Sequence, residues 1–216
     1  MGALIKTSRY LQSVHSALSE GARTQLDLAL SGDALAARRL MIVAPRRLRG
    51  HIASLAYYLK TRNPAYREIL KGVWSDDTRH LLVAHWPQQT LRRMLMRAEF
   101  PRPDLSGPVT IYRAVANVPV KKAASGLCWS LSRERTTAEA IRAEAANARI
   151  LLASIDPVDI IYWGNGRDEG EVVPRHPIEA FLVESVAHER APVSVTSSLA
   201  QSQVGRGAAA RVRARR

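Results

Sequence analysis

Three prolines fall within the short stretch Phe100-Pro-Arg-Pro-Asp-Leu-Ser-Gly-Pro108. Proline lacks the amide hydrogen that a helix interior or a central strand requires, and it drives the residue before it into extended backbone. No regular element crosses this connector, so it divides the chain. The expected organisation is a basic helical region over residues 1–100, a second domain over 108–196 and a disordered basic tail over 197–216.

Upstream of the connector the apolar residues recur at helical spacing. Leu48, Ile52, Leu55 and Leu59 follow Pro45, which suits a helix start. Ser75-Asp76-Asp77 offers cap residues before Leu81, Leu82 and Trp86. Beyond Pro87 a further helix carries Leu91, Met94 and Leu95, with Arg46, Arg47, Arg49, Arg92 and Arg93 on or beside polar faces. Gly21, Gly32, Pro45, Pro64 and Pro87 divide the region into short helices. His80 and His85 are five apart, not the helical i, i+4 spacing of a metal pair.

Downstream the pattern changes to short alternating or apolar runs. These are Val109–Val115, Leu127–Leu131, Ile150–Ile155, Ile160–Trp163, Glu171–Val173, Ala180–Val183 and Val193–Val195. One helical stretch, Thr136–Ala148, interrupts them and presents Ala138, Ile141 and Ala145 on one face. Strands with an inserted helix behind a helical region give an α+β fold class. Gly164–Gly170 is the richest loop signal.

Charge divides the chain in the same places. Residues 1–100 hold 16 Lys/Arg against 7 Asp/Glu, residues 101–190 hold 11 against 12, and residues 191–216 hold 5 against none. The basic ends suit nucleic acid or another acidic partner, or serve only to keep the surface solvated. The lone Cys128 excludes an internal disulfide and any multi-cysteine zinc site, and no metal is expected. No apolar run approaches the roughly 20 residues that span a bilayer. The opening Met-Gly-Ala-Leu-Ile-Lys lacks the continuous apolar segment of a secretory signal. A cytoplasmic protein without a membrane partner is therefore expected.

Three short signals in the second region carry chemistry. Arg113 ends the run Val-Thr-Ile-Tyr-Arg, where a sheet would hold its fork of donors rigidly for phosphate oxygens. Ser130 and Ser132 lie two apart on an expected strand, facing the same side, and could bond a ribose or brace a carboxylate. Glu169 and Glu171, also two apart, open the next strand, where both carboxylates would face one way and repel each other. A carboxylate beside a sugar can stabilise an oxocarbenium-like transition state. Each signal also has a plain structural reading: a surface arginine, a chance Ser-x-Ser, a solvated acidic turn.

In this order, Tyr112-Arg113-Ala114, Ser130-Leu131-Ser132 and Glu169-Gly170-Glu171-Val172 resemble the R-S-E class of ADP-ribosyltransferases. The pattern is most similar to compact bacterial and bacteriophage members, and it covers about residues 108–190. The resemblance implies two small sheets around a cleft that takes NAD as co-substrate. Arg113 would hold the phosphates. Ser130 would bond the nicotinamide-side ribose or position the catalytic glutamate. Glu171 would grip the ribose hydroxyl and stabilise the cation formed as nicotinamide leaves. Glu169 would orient or deprotonate the acceptor, which the Glu-x-Glu pattern makes a protein arginine, and Gly164–Gly170 would recognise the target. A bacterial toxin or effector, delivered into a target cell, fits this pattern. The alternatives are an NAD glycohydrolase, with water as acceptor, and a non-enzymatic basic nucleic-acid-binding protein.

Overall fold

The computed structural model describes residues 2–74, 82–84, 86–102, 104–143, 147–164 and 170–186. Glu169, most of the Gly164–Gly170 loop, Ser75-Asp76-Asp77, His80, His85, the run Val193–Val195 and the 197–216 tail lie outside these residues.

Residues before the connector fold into helices α1 (Gly2–Ser16), α2 (Glu20–Ser31), α3 (Ala34–Val43), α4 (Arg46–Tyr58), α5 (Asn63–Trp74) and α6 (Gln88–Ala98). Their ends follow local chemistry. Gly32 takes the left-handed conformation at φ 114° and closes α2, its N–H turned back to Ala29 and Leu28 carbonyls. The next residue, Asp33, caps α3 by accepting from the N–H groups of Leu35 and Ala36 at 2.8 and 2.9 Å. Pro45 and Pro87 stand at the N-caps of α4 and α6. Gly21 and Pro64 each stand at the second residue of a helix, just past the gaps that follow α1 and α4.

α3 and α5 approach closely at Gly72, where an added Cβ would sit 2.7 Å from Met41 Cβ. Leu26, Leu40, Ile52, Tyr66, Ile69, Leu70, Trp74, Met94 and Leu95 fill the space between helices and are fully or almost fully buried. The Tyr66 hydroxyl donates to the Met94 carbonyl at 3.1 Å, so its polar end is satisfied within the core. Burial pushes the Tyr66 pKa well above the ordinary phenol range.

Beyond the connector run β1 (Val109–Val115), α7 (Val120–Ala124), β2 (Trp129–Ser130), α8 (Arg133–Arg142), β3 (Arg149–Ile155), β4 (Ile160–Gly164), β5 (Glu171–Pro174) and β6 (Leu182–Ser185). The α+β class stands. The strands form one antiparallel sheet in the order β4-β5-β2-β1-β3-β6. This differs from the expected pair of small sheets. Tyr112 pairs with Ser130 on one side of β2, while Trp129 and Ser130 pair with Val172 and Glu171 on the other. Main-chain bonding is thus continuous through two residues.

Two strands are displaced from the sequence reading. β2 is shorter than Leu127–Leu131 because a turn at Ser125-Gly126 precedes it and a helix cap follows it. β6 starts at Leu182, not Ala180, and is an edge strand with Leu182 72% exposed. α8 begins three residues before Thr136 and buries Thr136 and Ala140, leaving Ala138 and Ile141 exposed. Two residues of the expected apolar face are therefore turned outward, and the third, Ala145, lies outside the described residues.

One sheet face buries Ile111, Val115, Trp129, Leu151, Ile155, Ile160 and Val172. Residues of the other face, Ile161, Tyr162 and Val173, join Leu127 in the same core as the N-terminal helices. Tyr162 is the visible joint: its ring meets Phe100 edge-on at 4.9 Å and Trp74 at 5.9 Å. The connector separates two sequence patterns, but the larger core is built from both sides of it.

Candidate active site

β5, β2 and β1 lie side by side, and their register builds the site. Ser130 stands opposite Tyr112 on β1 and opposite Glu171 on β5. Directly opposed residues share a face, with Cβ atoms about 4.5–5.5 Å apart. Tyr112, Ser130 and Glu171 therefore form one row across three strands.

Arg113 is the next residue along β1. Its guanidinium donates to the carbonyl of Cys128, just before β2, and lies over Gly126, where any added Cβ would fall on it. A cleft of about 240 Å³ is lined by Arg113, Ser130 and Glu171 together with Tyr112, Arg135 and Glu139. Arg135 Nε donates to Glu139 Oε1 at 3.2 Å across one turn of α8.

Glu171 owes its placement to Gly170, whose carbonyl accepts from the Leu131 N–H at 2.9 Å. Gly170 has φ +49°, and an added Cβ would stand 3.3 Å from Leu131 Cβ. Glycine suits both the left-handed backbone and the close strand.

Ser132 does not join Ser130 on a strand. It is the N-cap of α8, its hydroxyl accepting from the Arg135 N–H at 3.2 Å. Helix geometry claims this residue because a cap oxygen satisfies an otherwise orphaned amide. The expected strand position of Ser132 is thereby corrected to a helix cap. Ser130 Oγ instead accepts from the Ser132 N–H at 3.0 Å and donates to the Ser132 carbonyl at 3.3 Å, which fixes its rotamer. The partner glutamate expected to meet the acceptor, Glu169, lies outside the described residues.

Sequence reasoning placed Arg92 on a polar face, yet it is only 7% exposed. Burial lowers its pKa, the Arg113 charge lowers it further, and Cys128 partly offsets both. Arg135 and Glu139 were also missed. Recognising Ser132 as a cap would have started α8 at Arg133 and brought both residues onto its first turns. Nothing local in the sequence marks Arg92.

Among the described residues no group of three or more His, Cys, Asp or Glu is placed to hold a metal ion. No described helix is long and apolar enough to cross a membrane. No protein-family model, curated protein or solved structure matches the chain. Chemically, the cleft offers a guanidinium for an anion, with a hydroxyl and a carboxylate on adjacent strands.

Proposed function

We propose that the chain is an NAD-dependent mono-ADP-ribosyltransferase that modifies protein arginine and releases nicotinamide. The supporting observation is the direct Ser130–Glu171 pairing across β2 and β5, with Arg113 lining the same cleft. These are the three residues that the R-S-E resemblance singles out, and they come from segments up to 58 positions apart.

The cleft volume of about 240 Å³ lies below the roughly 300–1,000 Å³ of most small-molecule pockets. It suits the nicotinamide-ribose end of NAD, with the diphosphate against Arg113. The reaction breaks the bond between ribose C1′ and the nicotinamide nitrogen, and the bonding pair leaves with the ring. Positive charge then collects on C1′ and the ring oxygen. The Glu171 carboxylate stabilises that charge more than it stabilises the ground state, which is how an electrostatic group accelerates a reaction. The acceptor nitrogen supplies the pair for the new bond to C1′ and gives up a proton. Glu169 is the proposed receiver.

Incubation of wild-type protein and Glu171→Gln with labelled NAD and a cell lysate tests the assignment. Wild type should release nicotinamide and label protein. The variant should lose both by about 100-fold or more, the range seen when one electrostatic stabiliser is removed. Equal activity of the two would end the site assignment. Nicotinamide release without labelling would make water the acceptor. Salt-sensitive nucleic-acid binding with no NAD turnover would favour a basic binding protein.

A further inference from the structure

Arg92 belongs to α6, in the helical layer, but its guanidinium reaches the sheet. Nε donates to the Pro174 carbonyl at 3.4 Å, and Nη2 donates to the Ser125 and Gly126 carbonyls at 3.0 and 3.3 Å. Pro174 ends β5, the strand that begins with Glu171. Ser125 and Gly126 form the turn that enters β2, the strand that carries Ser130. One planar fork thus ties together the two strands that pair at the site.

The same turn seats Arg113. Gly126 lies beneath the Arg113 guanidinium, and the Cys128 carbonyl accepts from it. Two guanidinium groups therefore grip one short piece of backbone. Among the described residues Arg92 has no carboxylate partner, and a buried cation is costly unless fixed dipoles solvate it. An apolar residue of similar length could fill the volume between helix and sheet, but it could not hold three carbonyl oxygens in a defined arrangement.

We propose that Arg92 is a positioning residue that fixes the Ser125–Cys128 turn, and through it Arg113, for the phosphates of the dinucleotide. This rests on the reading of the cleft as an NAD site. The helical region then completes the active site instead of serving only as a binding module attached to it.

Full-length Arg92→Met and Arg92→Lys test the idea with two independent readouts. Hydrogen exchange reports the turn whether or not NAD is a substrate. Amides of residues 123–131 should exchange faster in Arg92→Met than in wild type, while α2–α5 stay protected. Steady-state kinetics report the consequence for binding. Loss of phosphate positioning should raise KM for NAD about tenfold with kcat within about threefold, the pattern of lost uniform binding. Arg92→Lys keeps the charge but not the fork, and should fall between wild type and Arg92→Met in both readouts.

Unchanged exchange at 123–131 in both variants overturns the proposal. So does an unchanged KM with kcat reduced in step with the folded fraction, since that is a purely structural loss. If Arg92→Met does not fold, Arg92→Lys is judged by the same two readouts. A wild-type protein that does not turn over NAD removes the reaction assignment; local exchange at 123–131 then still decides whether Arg92 fixes the turn.

Discussion

The candidate site depends on one missing side chain. Gly126 has no unusual backbone requirement; what it provides is room for the Arg113 guanidinium directly above its Cα. Gly126→Ala should displace the flexible end of Arg113 and leave the backbone in place. The expected result is a melting temperature within a few degrees of wild type and a clear rise in KM for NAD, measured side by side. A large stability loss with unchanged KM would show that the glycine serves packing alone. The order of three short strand signals, and the resemblance it carries, pointed to Arg113, Ser130 and Glu171, and the fold brings all three to one cleft. Arg92 was not legible in this way. Helical periodicity places it beside a polar face, but it cannot show that the face is covered by a turn and a strand that lie 33 to 82 residues away.

At the level of elements, strands were easier to read than their ends. β1 matches the alternation Val109–Val115 residue for residue, because its pairing with β3 over seven residues rewards an unbroken pattern. Around Ser132 two local rules compete, strand alternation and helix capping, and the cap prevails because it satisfies the Arg135 amide. Ser132→Ala should therefore destabilise the fold by about 1 kcal/mol, the usual loss for a removed N-cap oxygen. Chemical denaturation measures that loss, and NAD titration of the same variant should give an unchanged KM. A raised KM with unchanged stability would restore Ser132 to the substrate.

Across the whole molecule, the change of pattern at Phe100–Pro108 reads as a boundary between independent domains. Packing joins them. Leu127, Ile161, Tyr162 and Val173 share a core with the helices, and Tyr162 rests against Trp74 and Phe100. Residues 101–216 produced alone would expose those side chains along with the carbonyls that Arg92 holds. Burial of a large apolar side chain contributes about 1.5–3 kcal/mol, against a total domain stability of only about 5–15 kcal/mol. The separated segment should show no cooperative thermal transition by circular dichroism. A sharp transition would restore two-domain independence. Sequence could not show this dependence, because periodicity identifies an apolar face without naming what covers it.

β2 contributes only two residues, Trp129 and Ser130, to a sheet whose longest strands contribute seven. On one side stand β1, β3 and β6 with Arg113; on the other stand β4 and β5 with Glu171. The sheet therefore has a waist, and the cleft opens beside it. A dinucleotide held by Arg113 at one end and Glu171 at the other would act as a splint across that waist. Substrate binding and the stiffness of the sheet would then be one property, and whatever loosened the waist would release the ligand.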